Sequence, residues 1–154
     1  WCSYTFTRAR RTFNEEGHNH TYPANHERPH ELNAVMAWST GKHLTIGATF
    51  VFASGTPFTA PVSASILNGN IIATYGKHNA NRLGAYGRLD VSVNYKWKPK
   101  HAKERGINFS VYNATAHRNA LFYRIDKQRD GDFAVRPVSF MLDMLPSLSY
   151  YCKF

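Results

Sequence analysis

The chain has 154 residues, 43 % of them hydrophobic and 14 % aromatic, and a net charge of +9. That is enough for one domain with a core, and no apolar run reaches the ~18–20 residues of a membrane-spanning helix, although β-strands cross with only ~10 residues each. The charge suits a solvated surface, nucleic acid, anionic lipid or lipopolysaccharide, or an acidic ligand.

Helical periodicity is absent and period two dominates from the first residues on. Cys2, Tyr4 and Phe6 alternate with Ser3, Thr5 and Thr7. A long connection, roughly Arg8 to Pro29, follows. Leu32, Ala34, Met36 and Trp38 then oppose Asn33, Val35, Ala37 and Ser39. After a tight turn at Thr40-Gly41-Lys42, Leu44, Ile46, Ala48, Phe50 and Phe52 oppose Thr45, Gly47, Thr49, Val51 and Ala53. A second long connection runs from Gly55 to Tyr86. Leu89, Val91, Val93, Tyr95 and Trp97 next oppose Arg88, Asp90, Ser92, Asn94 and Lys96. The basic turn "KPKHAKERG" leads to Ile107, Phe109 and Val111 against Asn108, Ser110 and Tyr112. The third long connection, from Ala114 to Pro146, contains "ALFYRIDKQRDGDFAVRPVSFML", two extended runs around Asp130-Gly131-Asp132. A hairpin is expected there, with the last strand starting near Pro137. In that strand Leu148, Tyr150, Cys152 and Phe154 oppose Ser147, Ser149, Tyr151 and Lys153.

Six alternating strands suit a soluble sandwich or a transmembrane barrel. Three features favour the barrel. Short and long connections alternate strictly, as periplasmic turns and extracellular loops do in outer-membrane barrels, whereas sandwich loops longer than ~12–15 residues are uncommon. Trp38 and Trp97 lie on the apolar face beside the two short turns, where an indole suits the membrane–water interface. With Tyr95 and Phe154 they draw one girdle. Finally, no leftover apolar element could cover a face of Leu, Val, Tyr and Trp. Six strands do not close a transmembrane barrel, whose smallest members have about eight, and an isolated piece would have two naked edges. The chain, which begins at Trp1 without an initiator Met or signal segment, is therefore expected to be the C-terminal part of a larger barrel. Cys2 and Cys152 fit outward apolar positions. A disulfide between them stays open on sequence alone, but two free thiols acting as small hydrophobes are favoured.

The ordered stretches "YTFTRARRTF", "YPANHERPHELN", "ASGTPFTAP", "YGKHNANRLGAYGRLDVSVNY", "INFSVYNA" and "PSLSYYCKF" resemble the C-terminal end of TonB-dependent outer-membrane receptors, over almost the whole chain. The resemblance implies residues 1–154 as the last six strands of a 22-stranded, antiparallel, up-and-down barrel in the Gram-negative outer membrane. It implies as partners the barrel's own plug domain and remaining strands, a TonB-type energy coupler reached through the plug, outer-membrane lipid and lipopolysaccharide, a nutrient ligand such as a siderophore or glycan, and a surface lipoprotein lid in some members. The family pattern Tyr-Gly-x-x-Asn-Ala-x-Arg matches Tyr75, Gly76, Asn79, Ala80 and Arg82, and Tyr-x-Arg-Leu-Asp matches Tyr86, Arg88, Leu89 and Asp90. The usual Arg-Arg-His-Asp-Leu is here Arg28, Pro29, His30, Glu31 and Leu32, with Pro29 in place of the second Arg. Leu148, Tyr150, Cys152 and Phe154 correspond to the family's C-terminal assembly signal, with Cys152 where Tyr is usual.

Candidate sites follow from the residues left over. Arg10, Arg11, Arg82, Tyr86 and Arg88, with Arg8 nearby, sit near the rim on the long-connection side. They could capture an anionic ligand, bridge lipopolysaccharide phosphates, or form loop salt bridges with Glu15, Glu16 and Asp90. His18, His20, His26 and His30 fall in one expected loop, and His-x-His can ligate a transition metal. Without a thiolate or carboxylate at ligand spacing, chance composition competes with that and no resident metal is expected. Lys98, Lys100, His101, Lys103 and Arg105 form a basic cluster at the second short turn. No recognition motif accompanies it, so a solvated turn is expected rather than nucleic-acid binding. Gly-x-Ser-x-Gly, His-Glu-x-x-His and a phosphate loop are all missing from the sequence, so neither enzymatic activity nor a cofactor is expected. The alternatives to nutrient uptake are a non-transport barrel (an adhesin or lumenal hydrolase) and a soluble basic β-protein that binds polyanions.

Overall fold

The computed structural model describes residues 1–15, 18–67, 70–98, 103–127, 133–139 and 143–153. All regular structure in them is β. The strands are β1 (Cys2–Phe6), β2 (Arg10–Glu15), β3 (His18–Pro23), β4 (His30–Thr40), β5 (Leu44–Ala53), β6 (Pro57–Phe58) and β7 (Pro61–Leu67). They continue as β8 (Asn70–Tyr75), β9 (Asn81–Arg82), β10 (Tyr86–Trp97), β11 (Glu104–Tyr112), β12 (Ala120–Lys127), β13 (Phe133–Ser139) and β14 (Leu145–Lys153).

Six of these form one antiparallel sheet in the order β1-β4-β5-β10-β11-β14. The sheet is an up-and-down meander, and β1 and β14 are its edges. No closed barrel is present among the described residues. The remaining strands are two-stranded ribbons inserted into the long connections. β2 pairs with β3 in the first, β7 with β8 and β6 with β9 in the second, and β12 with β13 in the third. All the long connections therefore gather at one end of the sheet and the two short turns at the other. The β4–β5 turn uses Gly41 at φ +61°, a conformation that a Cβ disfavours.

The register keeps like with like. Opposed residues in an antiparallel ladder share a face. Leu32, Ala34, Met36 and Trp38 oppose Phe52, Phe50, Ala48 and Ile46. Leu89, Val91 and Val93 extend those rows onto β10, Val111 and Phe109 onto β11, and Leu148 onto β14; the next row is Leu44-Tyr95-Ile107-Tyr150. On the reverse face the row Ala37-Gly47-Ser92-Ser110-Ser147 is small and polar, and Ser39-Thr45-Asn94-Asn108-Ser149 lies beside it. Gly106 is buried under the Tyr151 ring, which occupies the space a Cβ would need.

Neither face is covered by the described residues. Among the described residues no large side chain is fully buried, and the buried apolar residues are Ala24 and Ala53. Tyr4, Met36, Trp38, Phe109, Leu148 and Tyr150 are all exposed on the apolar face.

Three expectations need correcting. The last sheet strand starts at Leu145, because Pro137 belongs to β13 and stands opposite Tyr123; proline is tolerated in such an isolated ribbon, which leaves backbone edges outward. His18 and His20 lie in β3 and His30 begins β4, so the histidine-rich stretch is not one loop. Arg105 belongs to β11, opposite Trp97, rather than to the turn. Lys100, His101, Asp130-Gly131-Asp132, Glu16 and Phe154 lie outside the described residues.

Candidate functional site

Two surfaces carry the chemistry: the rim built by the long connections, and the apolar face of the sheet.

At the rim, the segment between β3 and β4 buries Glu27, which is only 3 % exposed. A carboxylate there needs partners. Arg82, at the end of β9, supplies a guanidinium contact to Glu27 Oε2 and donates to the backbone carbonyls of Glu27 at 3.3 Å and Gly55 at 3.2 Å. The Ala9 amide donates to Glu27 Oε1 at 3.1 Å. Burial raises the Glu27 pKa, but the Arg82 hydrogen bond, the Ala9 amide and the charges of Arg82 and Arg10 outweigh it and hold the carboxyl below its ordinary value. Asn79 makes the second link. It is buried at φ 53°, a left-handed conformation that Asn tolerates. Its side-chain amide donates to the Pro23 carbonyl at 2.8 Å and to Asn25 Oδ1. Its backbone amide donates to Thr59 Oγ1 at 3.1 Å. The Asn79 and Arg82 of one motif thus tie the second long connection to the first.

The next motif forms a separate cluster where β10 begins. Arg88 Nε lies 3.1 Å from Asp90 Oδ2. Arg88 also donates to the hydroxyls of Tyr112 at 2.9 Å and Tyr86 at 3.4 Å, with its guanidinium carbon 4.7 Å from the Tyr112 ring centre. Asp90 accepts from the Asn113 amide at 3.0 Å. Asn113, buried at φ 51°, donates from its side chain to the carbonyls of His117 at 3.1 Å and Asp143. Arg118 grips the Asp143 carboxylate with two bonds of 2.9 Å, which lowers the Asp143 pKa. Asn119 exchanges two hydrogen bonds with the backbone of Gly87. The third connection is thereby fastened to the sheet.

The expected ligand residues do not form one set. Arg82 and Arg88 are engaged in the two clusters just described, with Tyr86 in the second. Arg10 and Arg11 stand exposed on β2. The histidines are also dispersed. His30 Nδ1 sits 2.7 Å from the Tyr4 hydroxyl, and its ring packs against Phe6. Among the described residues no group of three or more His, Cys, Asp or Glu side chains could hold a metal. Asn79, Glu27 and Asn113 were not anticipated as organising residues. Asn79 carried a signal, since Asn in a loop favours positive φ; a buried Glu27 carried none.

On the apolar face, Trp97 lies between Tyr95 and Tyr150, with ring centres 6.0 and 6.5 Å away. His43 joins Tyr95 at 6.0 Å. Trp38 stands two rows inward of Trp97, in the row of Ile46 and Val93, so these side chains do not share one ladder row. Toward the other end of the face come Tyr4, Phe6, Phe50 and Phe52. Cys2 and Cys152 are free thiols on the two edge strands. Among the described residues no helix is long and apolar enough to cross a membrane. No family model, no curated protein and no solved structure matches the chain.

Proposed function

We propose that the chain is a segment of outer-membrane β-barrel wall, the last six strands of a 22-stranded TonB-dependent receptor that takes up a scarce nutrient. The observation that carries this is the uncovered apolar face. It spans six rows, from Phe52 to Trp97, which is ~34 Å along the strands. At the ~35–45° tilt of barrel strands that height becomes ~26 Å, close to the ~25 Å apolar band such barrels present to lipid. The five longer strands have 9 to 12 residues, which suits a tilted crossing of ~9–11. The accessible surface, 11359 Å², also exceeds the ~7,900 Å² of a compact monomer of this mass.

In this reading lipid covers the apolar stripes. The polar stripes line the lumen, the short turns face the periplasm, and the tied long connections form the outer vestibule. A plug, carried by the rest of such a receptor, would gate passage, and a separate energy-coupling protein would act on that plug from the periplasm.

The test is recovery of the protein from membranes together with the gene sequence upstream of Trp1. We expect extraction only with detergent, a heat-modifiable band on gels, and an upstream region encoding a plug and further strands. Recovery in the aqueous fraction would sink the barrel. A heat-modifiable barrel with no plug encoded upstream would leave a non-transport barrel instead.

A further inference from the structure

Between the β2–β3 ribbon and the segment after β8 lies an open cleft of about 870 Å³, lined by Phe13, His20, Tyr22, Lys77 and His78 together with Asn19 and Thr21. Its floor is aromatic. The rings of Phe13 and Tyr22 are nearly parallel, at 8°, with centres 5.8 Å apart. The ladder explains this arrangement. Phe13 opposes His20 and Arg11 opposes Tyr22, so all four share one face of the ribbon. His78 closes one side, edge-on to Tyr22 with ring centres 4.4 Å apart.

The cleft is held in shape. Asn79, next to His78, is bonded to Pro23 and Asn25, and so fixes residues 77–79 over the ribbon. Thr12 and Thr21, opposite each other in the ladder, also pair through their hydroxyls at 2.9 Å. A ligand would meet walls already in place, which lowers the ordering cost of binding.

Lys77 is the charged residue of the described lining and is exposed. On the ribbon, Arg11 stands one same-face pair to one side of Phe13 and Glu15 one pair to the other. Among the described residues no carboxylate lines it. A planar π-system can extend this stacked pair of rings face-on, and Lys77 beside it takes negative charge. We propose that this cleft binds a flat organic anion, an aromatic ring system bearing a carboxylate or an equivalent acidic group. An acidic sugar shares the charge but not the flatness, and it would need acceptor side chains for its hydroxyls.

This inference rests on the long-connection end being the ligand-facing vestibule of the proposed barrel, yet binding is measurable without transport. The full chain in detergent micelles would be titrated calorimetrically with 1-naphthoate, 1-naphthalenemethanol and glucuronate. We expect saturable naphthoate binding, at least ~10-fold tighter than binding of the uncharged alcohol or of glucuronate. Lys77→Gln and Phe13→Leu should each weaken it ~5-fold or more. Partitioning into detergent is common to all variants and cancels. Circular dichroism of the variants checks that the sheet is intact. Absence of saturable binding, equal binding by the variants, or equal or tighter binding of the alcohol or of glucuronate overturns the proposal. A detergent-requiring, heat-modifiable chain that fails to bind naphthoate sinks the cleft alone. A chain recovered in the aqueous fraction that still binds it sinks the barrel and leaves the cleft.

Discussion

The Glu27–Arg82 pair is the clearest single-residue device in the molecule. Glu27 is almost fully buried, whereas the Arg82 side chain keeps 36 % of its exposure, so the two halves are not equivalent. Removing Arg82 leaves a buried carboxylate with the Ala9 amide and little else. Breaking a buried pair in this way costs ~3–5 kcal/mol, and the partial exposure of Arg82 argues for the lower end. Arg82→Ala should therefore raise local opening of the first connection by about two orders of magnitude. Proteinase K cleavage within residues 24–29 reads that opening directly. Glu27→Gln keeps the acceptor and loses the charge, so its effect should be smaller. Acid should act in the same direction. The folded carboxyl lies below its reference value of 4.5, so its stabilising contribution is complete above that pH. It fades as the pH falls from there through the lowered folded value. Cleavage of the native chain should rise over that acid range, and Glu27→Gln should flatten the rise. An equal rise in Glu27→Gln would mean that another group titrates.

At the scale of the strand, alternation makes a prediction that separates the two faces of one element. Val93 and Asn94 are adjacent on β10 and point opposite ways; Val93 sits in the row of Ile46 and Phe109, Asn94 in that of Thr45 and Asn108. If lipid covers the apolar face, Val93→Arg places a guanidinium near mid-band and should cost ~2–4 kcal/mol. Asn94→Arg should cost much less, because its face is already polar. Denaturant titration in micelles measures both, and equal costs would count against lipid. The same alternation explains which strands were legible in the sequence. β1, β4, β5, β10, β11 and β14 carry apolar rows that run on from strand to strand across one sheet, so their period shows. The ribbon β2–β3 reads as "RRTFNE" and "HNHTYP", with no apolar stripe, because it stands clear of the sheet. β7–β8 did carry a hairpin signal, Asn68-Gly69 between apolar runs, which the reading of Gly55 to Tyr86 as one long connection did not use. The rim was less legible still. Its motifs named Asn79, Arg82 and Arg88 as special letters, while their partners Glu27, Pro23 and Tyr112 lie far away in sequence. Neither periodicity nor local spacing can predict such partners, because tertiary proximity decides them.

At the scale of the whole molecule the open question is what the two edges do. Cys2 lies on β1 and Cys152 on β14, with four strands between them. Five inter-strand gaps of ~4.8 Å put the edges ~24 Å apart along the sheet. A disulfide needs Cα atoms within ~7 Å. In a wide barrel the six strands form a gently curved arc, and the remaining strands separate the two edges the other way round. Only a sheet rolled tightly on itself would bring the thiols together, and its narrow interior would have to hold every side chain of one face. Treatment of the native protein with a copper–phenanthroline oxidant should therefore leave both thiols free of an intramolecular bond, as judged by non-reducing gels and mass mapping. Reduced, denatured chain gives the positive control, since it samples closure at random. A rapid native disulfide would mean that the strands close on themselves, and the wide-barrel arrangement would fail. A bond formed only between two copies would point instead to edge-to-edge pairing of β1 with β14, the association that unpaired edge strands invite. Missing or blocked oxidation has a further consequence: if additional strands flank both edges, Cys2 and Cys152 should also resist water-soluble maleimides until detergent is replaced by denaturant, because each would then face lipid beside a paired neighbour.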